Sequence, residues 1–138
     1  MTAVRALLVL LAFLVVVVAP AGAASDVRVT LTASSATPVA DTPWRYQIIV
    51  KDRQGDAVRT KARLQILRGT TVVGWVKRTA IVPCRGPSSG TWISFAGKRV
   101  GTVKWAPRFV GARLIFRATV VANGRALRLR IPVRVQAP

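Results

Sequence analysis

The side chains that could carry acid–base or nucleophilic chemistry are few in this sequence. It contains no histidine and no glutamate, and its four acidic residues are all aspartates. General acid–base catalysis would therefore fall on aspartate, on lysine, on Tyr46 or on Cys84. A cysteine nucleophile needs a neighbouring base, which is usually histidine. We therefore expect that the protein is not an enzyme.

Residues that could bind a metal ion are also scarce. Asp52 and Asp56 flank Gly55, but a calcium ion takes six or more oxygen ligands, and aspartates around a glycine are typical of a turn. Cys84 is the only cysteine, so it can form no disulfide within the chain. It is either a buried or unused thiol or the site of a disulfide to another molecule. We expect no metal and no other cofactor.

Positive charge dominates the composition. The chain has 22 lysines and arginines against four acids, which gives a formal net charge of +18. A surplus of this size attracts polyanions. Specific nucleic-acid binding is not expected, because base stacking needs exposed aromatic residues among the cations, and the most basic stretches offer only Phe116, on a row that faces inward.

The amino terminus has the features of a secretory signal peptide. Arg5 is followed by the apolar run Ala6–Ala19 and then by small residues, which is the order of a cleavable leader. The run is shorter than the roughly 20 residues that cross a bilayer. We expect residues 1–24 to be removed, with membrane contact only during export, and residues 25–138 to form one secreted or cell-envelope domain. An uncleaved leader that tethers the domain is the alternative.

The rest of the chain alternates apolar and polar residues, a period that is typical of half-buried antiparallel strands. Short strands with frequent turns over about a hundred residues indicate a two-sheet β-sandwich. We expect most of 79–101 to be loop because it is rich in glycine, proline and serine, with Trp92, Ile93 and Phe95 folded back onto the body. About seven strands are predicted, at 26–33, 43–51, 57–67, 71–78, 101–105, 112–122 and 125–136.

The stretch "IIVKDRQGDAVRTKARLQIL", residues 48–67, resembles a hairpin of bacterial immunoglobulin-like domains. Those domains carry a Val-x-Asp-x-x-Gly-x-x-Val signature, which is matched here by Val50, Asp52, Gly55 and Val58. The resemblance implies an immunoglobulin-like sandwich in an exported or surface protein. Such domains serve as stalks, adhesin segments and accessory modules, so the resemblance points to a location more than to an activity.

Asn123-Gly124 lies between two alternating runs and predicts a type I′ hairpin turn. If the turn forms, the register follows by counting, and Phe116 faces Ile131 on an inward row that is apolar on both strands. A proline such as Pro132 is tolerated when the last strand lies at a sheet edge.

The same register places arginines directly opposite arginines. Arg117 faces Arg130 and Arg113 faces Arg134, in pairs whose Cα atoms lie about 4.5 Å apart. In an immunoglobulin-like sandwich the third strand joins the sheet of the last two, which adds a third basic row. The predicted outer face carries Arg59, Lys61, Arg63, Arg113, Arg117, Arg128, Arg130 and Arg134.

Two interpretations of this face stay open. The side chains can simply splay into solvent, where salt screens their repulsion. Alternatively, the face can bind an anionic polymer of the cell envelope, since the planar fork of arginine suits phosphate and carboxylate groups.

The four tryptophans raise the question of a stacking site for a carbohydrate. Trp44 and Trp105 lie at strand spacing and are expected in the core. Trp75 and Trp92 are less constrained by the strand pattern, and Trp92 is the candidate to test for contact with a ligand. The sequence therefore favours a non-enzymatic exported binding or structural module. The alternative is a small accessory or inhibitor protein that docks on another exported protein through the 79–101 loop.

Overall fold

Strands account for almost all of the regular structure. A computed structural model describes residues 15–18, 27–83 and 86–138, and none of these residues forms a helix with the length and hydropathy of a membrane span. A single turn of 3₁₀ helix covers Pro107–Phe109. The strands are β1 (Val15–Val18), β2 (Val27–Ala33), β3 (Pro43–Asp52), β4 (Arg59–Arg68), β5 (Thr71–Lys77), β6 (Ala80–Pro83), β7 (Ile93–Ala96), β8 (Lys98–Lys104), β9 (Arg113–Ala122) and β10 (Arg125–Arg134).

The strands form two antiparallel sheets, which confirms the predicted β-sandwich. One sheet has the order β1-β2-β3-β8 and the other the order β10-β9-β4-β5-β6, with β7 also paired to β4. The strand β4 lies beside β9, as expected for the third strand of an immunoglobulin-like arrangement. The seven predicted strands correspond to β2, β3, β4, β5, β8, β9 and β10.

Residues 48–67, which resemble a hairpin of immunoglobulin-like domains, connect the two sheets here and do not form a hairpin within one of them. Next to the turn, Lys51 bridges Ala57 and the Val58 N–H donates to the Val50 carbonyl at 3.4 Å. The strands β3 and β4 then diverge, and each pairs with other partners. The divergence follows from their two apolar rows, which face each other across the core.

Alternating apolar residues from both sheets build the core. Its centre is aromatic: Trp44 packs edge-on against Trp105 and Phe116, with ring centroids 5.4 and 5.0 Å away. Trp44 is 2% exposed and Trp105 is fully buried, which confirms the prediction for both. Such edge-to-face contacts stabilise a core beyond the area that the rings bury.

The β9–β10 hairpin has the predicted register. Asn123 and Gly124 have φ values of 50° and 72°, the left-handed conformation that a type I′ turn requires. Phe116 faces Ile131, and both side chains are fully buried. Because β10 is the last strand of its sheet, Pro132 lies at a sheet edge as expected.

The prediction that 79–101 is mostly loop is wrong. The segment contains β6, β7 and the first part of β8. The strand β7 pairs with the first half of β4, on the side that β5 leaves free. Ile93 and Phe95 are partly buried against the core, as predicted, whereas Trp92, predicted to fold back with them, is 41% exposed. Cys84 lies outside the described residues.

The strand β1 lies within the predicted leader. Val15–Val18 pairs with Thr30–Ala33 of β2, and Val15 packs partly against the core. The other residues of the segment 1–24 lie outside the described ones. Its cleavage stays a prediction.

Candidate anion-binding face

The outer face of β4, β9 and β10, which we call the basic face, holds all eight predicted cations. The strand order β10-β9-β4 makes their outward rows adjacent. Two of the cations are half-buried and six are exposed. The half-buried residues are Arg63 and Arg117, and the exposed ones are Arg59, Lys61, Arg113, Arg128, Arg130 and Arg134.

Two pairs of arginines stand directly opposite each other on this face. Arg117 is the register partner of Arg130, and Arg113 is that of Arg134. No acidic residue occurs on β4, β9 or β10. Like charges at opposed positions destabilise a sheet by a few tenths to about 1 kcal/mol. The arrangement therefore lowers stability unless an anion lies between the guanidinium groups.

A buried glutamine holds the central arginine in place. Gln65 faces Arg117 across β4 and β9, and its Oε1 accepts a hydrogen bond from Arg117 Nη2. The Gln65 amide donates to the carbonyls of Pro87 and Ser89 at 2.8 and 2.7 Å. The loop 86–90 thus covers Gln65, which is fully buried. Arg117 is consequently oriented before any ligand arrives.

The environment of Arg117 is electropositive. Partial burial lowers the pKa of its guanidinium, and the charges of Arg128, Arg130 and Arg63 lower it further. Arginine nevertheless stays protonated in proteins at neutral pH. The three neighbours therefore concentrate positive potential around a half-buried, positioned cation.

Three buried polar atoms on this face lack hydrogen-bond partners among the described residues. They are Arg63 Nε, Arg117 Nε and Thr119 Oγ1. Arg63 and Thr119 are register partners, and Thr119 also faces Arg128. The loop does satisfy part of Arg63, whose Nη1 donates to the Ser88 carbonyl at 2.9 Å. The described residues therefore use only part of the hydrogen-bonding capacity of these side chains.

Trp92 lies at the β4 side of the basic face. Its side chain is 41% exposed. Arg63 Cζ lies 4.8 Å and Lys61 Nζ 5.6 Å from the centroid of the Trp92 ring. These are cation–π distances. The residue predicted for ligand contact is thus brought together with two residues of the basic face, by the pairing of β7 with β4.

The part of the site that sequence reasoning missed is Gln65 with its covering loop. Counting along β4 places Gln65 on the same outward row as Arg63, which is a usable signal. The sequence gives no corresponding signal that residues 86–90 would fold over this row, because their contacts are with a strand more than 20 positions earlier.

Positive charge is not confined to the basic face. The outward rows of the other sheet carry Arg28, Arg45, Lys51, Lys98 and Lys104, all exposed. Arg28 and Lys51 are register partners there. What distinguishes the basic face is its eight cations on three adjacent strands and its two half-buried arginines, of which Arg63 bonds to the 86–90 loop and Arg117 to Gln65.

The predicted turn role of Asp52 is confirmed. Its Oδ1 accepts hydrogen bonds from the backbone N–H groups of Gln54 and Asp56, both at 2.9 Å, which is an Asx-type turn. In the described part of the chain, no three His, Cys, Asp or Glu side chains group together in a way that could hold a metal ion.

Comparisons of the sequence with protein-family models and with curated proteins give no match.

Proposed function

We propose that this chain is an exported, bacterial immunoglobulin-like module without catalytic activity, which binds an anionic polymer of the cell envelope through the basic face. The proposal rests on two observations about β9 and β10. Arg117 stands directly opposite Arg130 and Arg113 directly opposite Arg134, and neither strand contains an acidic residue. This arrangement costs stability in the free protein. Binding a polyanion offsets that cost.

The spacing of the cations suits a chain of repeated charges better than one small anion. At the usual rise of a strand, the row of Arg113 and Arg134 lies about 13 Å from the row of Arg117 and Arg130. Arg128 lies about 7 Å beyond Arg130. An extended polymer can place successive phosphates or carboxylates against these rows, where arginine binds them in a bidentate manner.

We place the polymer in the cell envelope because the predicted leader would export the domain. An exported domain meets teichoic-acid-like or acidic polysaccharide chains and does not normally meet nucleic acid. Trp92, beside Lys61 and Arg63, supplies the one large exposed aromatic side chain of this region of the described structure. It could pack against a sugar unit of such a polymer.

The test is retention on an immobilised polyanion across a salt gradient. The variant Arg117→Ser/Arg130→Ser should elute at clearly lower salt than the unchanged protein. The matched control is Arg28→Ser/Lys51→Ser, which removes an opposed pair of equal charge from the other sheet and should elute close to the unchanged protein.

Equal shifts for both double variants would reject the proposal, because binding would then depend on net charge and not on the basic face. Elution of the unchanged protein below physiological ionic strength would also reject it.

A second candidate function rests on the exposure of Trp92. An exposed tryptophan is a common anchor at protein interfaces, so the segment 79–101 could dock on another exported protein. Under this alternative, Trp92→Ala should abolish partner capture from envelope fractions while Arg117→Ser/Arg130→Ser leaves it intact. Loss of capture in Arg117→Ser/Arg130→Ser supports the basic face.

A further inference from the structure

An open cavity of about 470 Å³ lies at one end of the basic face. Its lining includes Ile115 and Pro132, which are register partners on β9 and β10, and the arginines Arg113 and Arg134. The lining is mostly apolar apart from these two cations. The phosphates or carboxylates of a polyanion would pair with Arg113 and Arg134 but would not use the apolar part of this lining.

Backbone hydrogen bonds hold one wall of the cavity. The Arg134 N–H donates to the Ala36 carbonyl at 2.9 Å, and the Gln136 N–H donates to the Pro38 carbonyl at 2.8 Å. These bonds fix the segment that contains Ala36 and Thr37 against the edge of β10, where both residues line the cavity. Gly69, in the turn between β4 and β5, also lines it. The cavity is therefore formed before a ligand binds.

We propose that this cavity binds a single-chain anionic amphiphile, with the hydrocarbon chain on Ile115 and Pro132 and the carboxylate between Arg113 and Arg134. The volume lies within the range of about 300–1,000 Å³ that is usual for small-molecule sites, which combine an apolar lining with a few polar groups. The two opposed guanidinium groups gain a counterion in the bound state. The inference does not depend on the polymer proposal, although the two share Arg113 and Arg134.

The charge and the lining together select this ligand class. A neutral amphiphile would cover Ile115 and Pro132 but leave the two arginines opposed without a counterion. A short carboxylate would bind the arginines but leave the apolar lining exposed to water. Only a ligand that carries both parts uses the whole cavity.

The experiment is calorimetric titration of the full chain with dodecanoate below its micelle concentration. Dodecyl maltoside has the same chain with a neutral head, and butyrate has the same head with a short chain. We expect one dodecanoate per chain and binding weaker by about tenfold or more for each of the other two ligands. Equal affinity for dodecyl maltoside or for butyrate would overturn the proposal.

Variants test whether dodecanoate binds in this cavity or elsewhere on the molecule. Arg113→Ser/Arg134→Ser should weaken dodecanoate binding by about tenfold or more, while the matched pair Arg128→Ser/Arg130→Ser should leave it within about twofold. Thr37→Trp places a large side chain at an exposed position of the wall and should block dodecanoate without changing the charge of the cavity. Undiminished dodecanoate binding to Thr37→Trp would show that the amphiphile binds elsewhere, and the proposal would fail while the polymer proposal could still hold.

Discussion

Tyr46 is the only tyrosine of the chain, so its ionisation can be followed without interference from another phenol. It is 1% exposed and faces Gly101 on the neighbouring strand. A Cβ at position 101 would collide with the Tyr46 ring. The glycine therefore provides the space in which the phenol lies, and a Gly101→Ala change would overpack this part of the core.

Burial raises the pKa of Tyr46 above 10.0, and the nearby Arg99 only partly opposes this effect. The folded state thus favours the neutral phenol. Its contribution to stability is complete below a pH of about 10, the pKa in the unfolded chain, and is lost as the pH rises through the higher folded pKa. We expect tyrosinate absorbance to appear at higher pH in native buffer than in concentrated urea.

The Tyr46→Phe variant isolates this effect. The two proteins share every other titratable group, so the difference between their profiles reports Tyr46. As the pH rises through the alkaline range, the unfolding free energy of the unchanged chain should therefore fall relative to that of Tyr46→Phe. Identical alkaline profiles would show that the buried phenol has an ordinary pKa.

Arg130 should destabilise the free protein. It is exposed and stands opposite Arg117, so Arg130→Gln removes a like-charge contact. We expect the unfolding free energy in urea to rise by a few tenths to about 1 kcal/mol at low ionic strength. The gain should disappear in about 1 M salt, where the Debye length is about 3 Å.

Arg125→Gln is the matched control for this change, because Arg125 faces Ala122 and not a cation. It should have a smaller effect. A stability loss in Arg130→Gln would mean that the opposed arginines do not repel each other. A stability gain together with weaker polyanion retention would show that this row serves binding at the expense of stability.

At the level of elements, the β9–β10 hairpin depends on its two-residue turn. Gly124 has a φ of 72°, and a Cβ added at this position would meet no atom within 4 Å, so the backbone conformation alone opposes a side chain there. Gly124→Ala should lower the unfolding free energy by roughly 1 kcal/mol. Chemical denaturation measures this loss.

Gly86→Ala is the control for the turn variant. A Cβ at position 86 also meets no atom within 4 Å, and its backbone does not have a left-handed φ. Its unfolding free energy should stay near that of the unchanged protein. A neutral Gly124→Ala variant would contradict the view that this turn sets the register of the basic rows.

The elements that the sequence predicts well are those with long alternating patterns. In β9 and β10, ten residues of alternation and an Asn-Gly turn leave one register that pairs apolar residues with apolar residues. The strands β6 and β7 have four residues each, and Pro83 ends the first of them. Their existence depends on free edges of β5 and β4, which is a property of the assembled sheet.

The same distinction applies to the candidate site. The basic rows follow from counting along three strands, so Arg117 and Arg130 were predictable as partners. The orientation of Arg117 depends on Gln65 and on carbonyls of the 86–90 loop. Those contacts join distant parts of the chain, and no local pattern encodes them.

At the level of the whole molecule, the predicted leader contacts the sandwich through the strand β1, which pairs with β2. The strand β1 extends the first sheet by pairing with β2, but the core of that sheet comes from β2, β3 and β8. Within the described part of residues 1–24, Val15 packs partly against the core and Val16 is 48% exposed. Of the two β1 side chains whose burial the structure describes, Val15 therefore contributes to the core and Val16 does not.

A chain of residues 25–138 should accordingly fold as the same two-sheet domain. Losing the β1 pairing and the partly buried Val15 should lower the unfolding free energy but leave a cooperative unfolding transition, as measured in urea at equal salt. Amide exchange should quicken on the β2 edge that β1 covers and stay slow in β9, which lies inside the other sheet. An unfolded 25–138 chain would make β1 a necessary part of the sandwich, and a leader that is cleaved in the mature protein would then be incompatible with the fold.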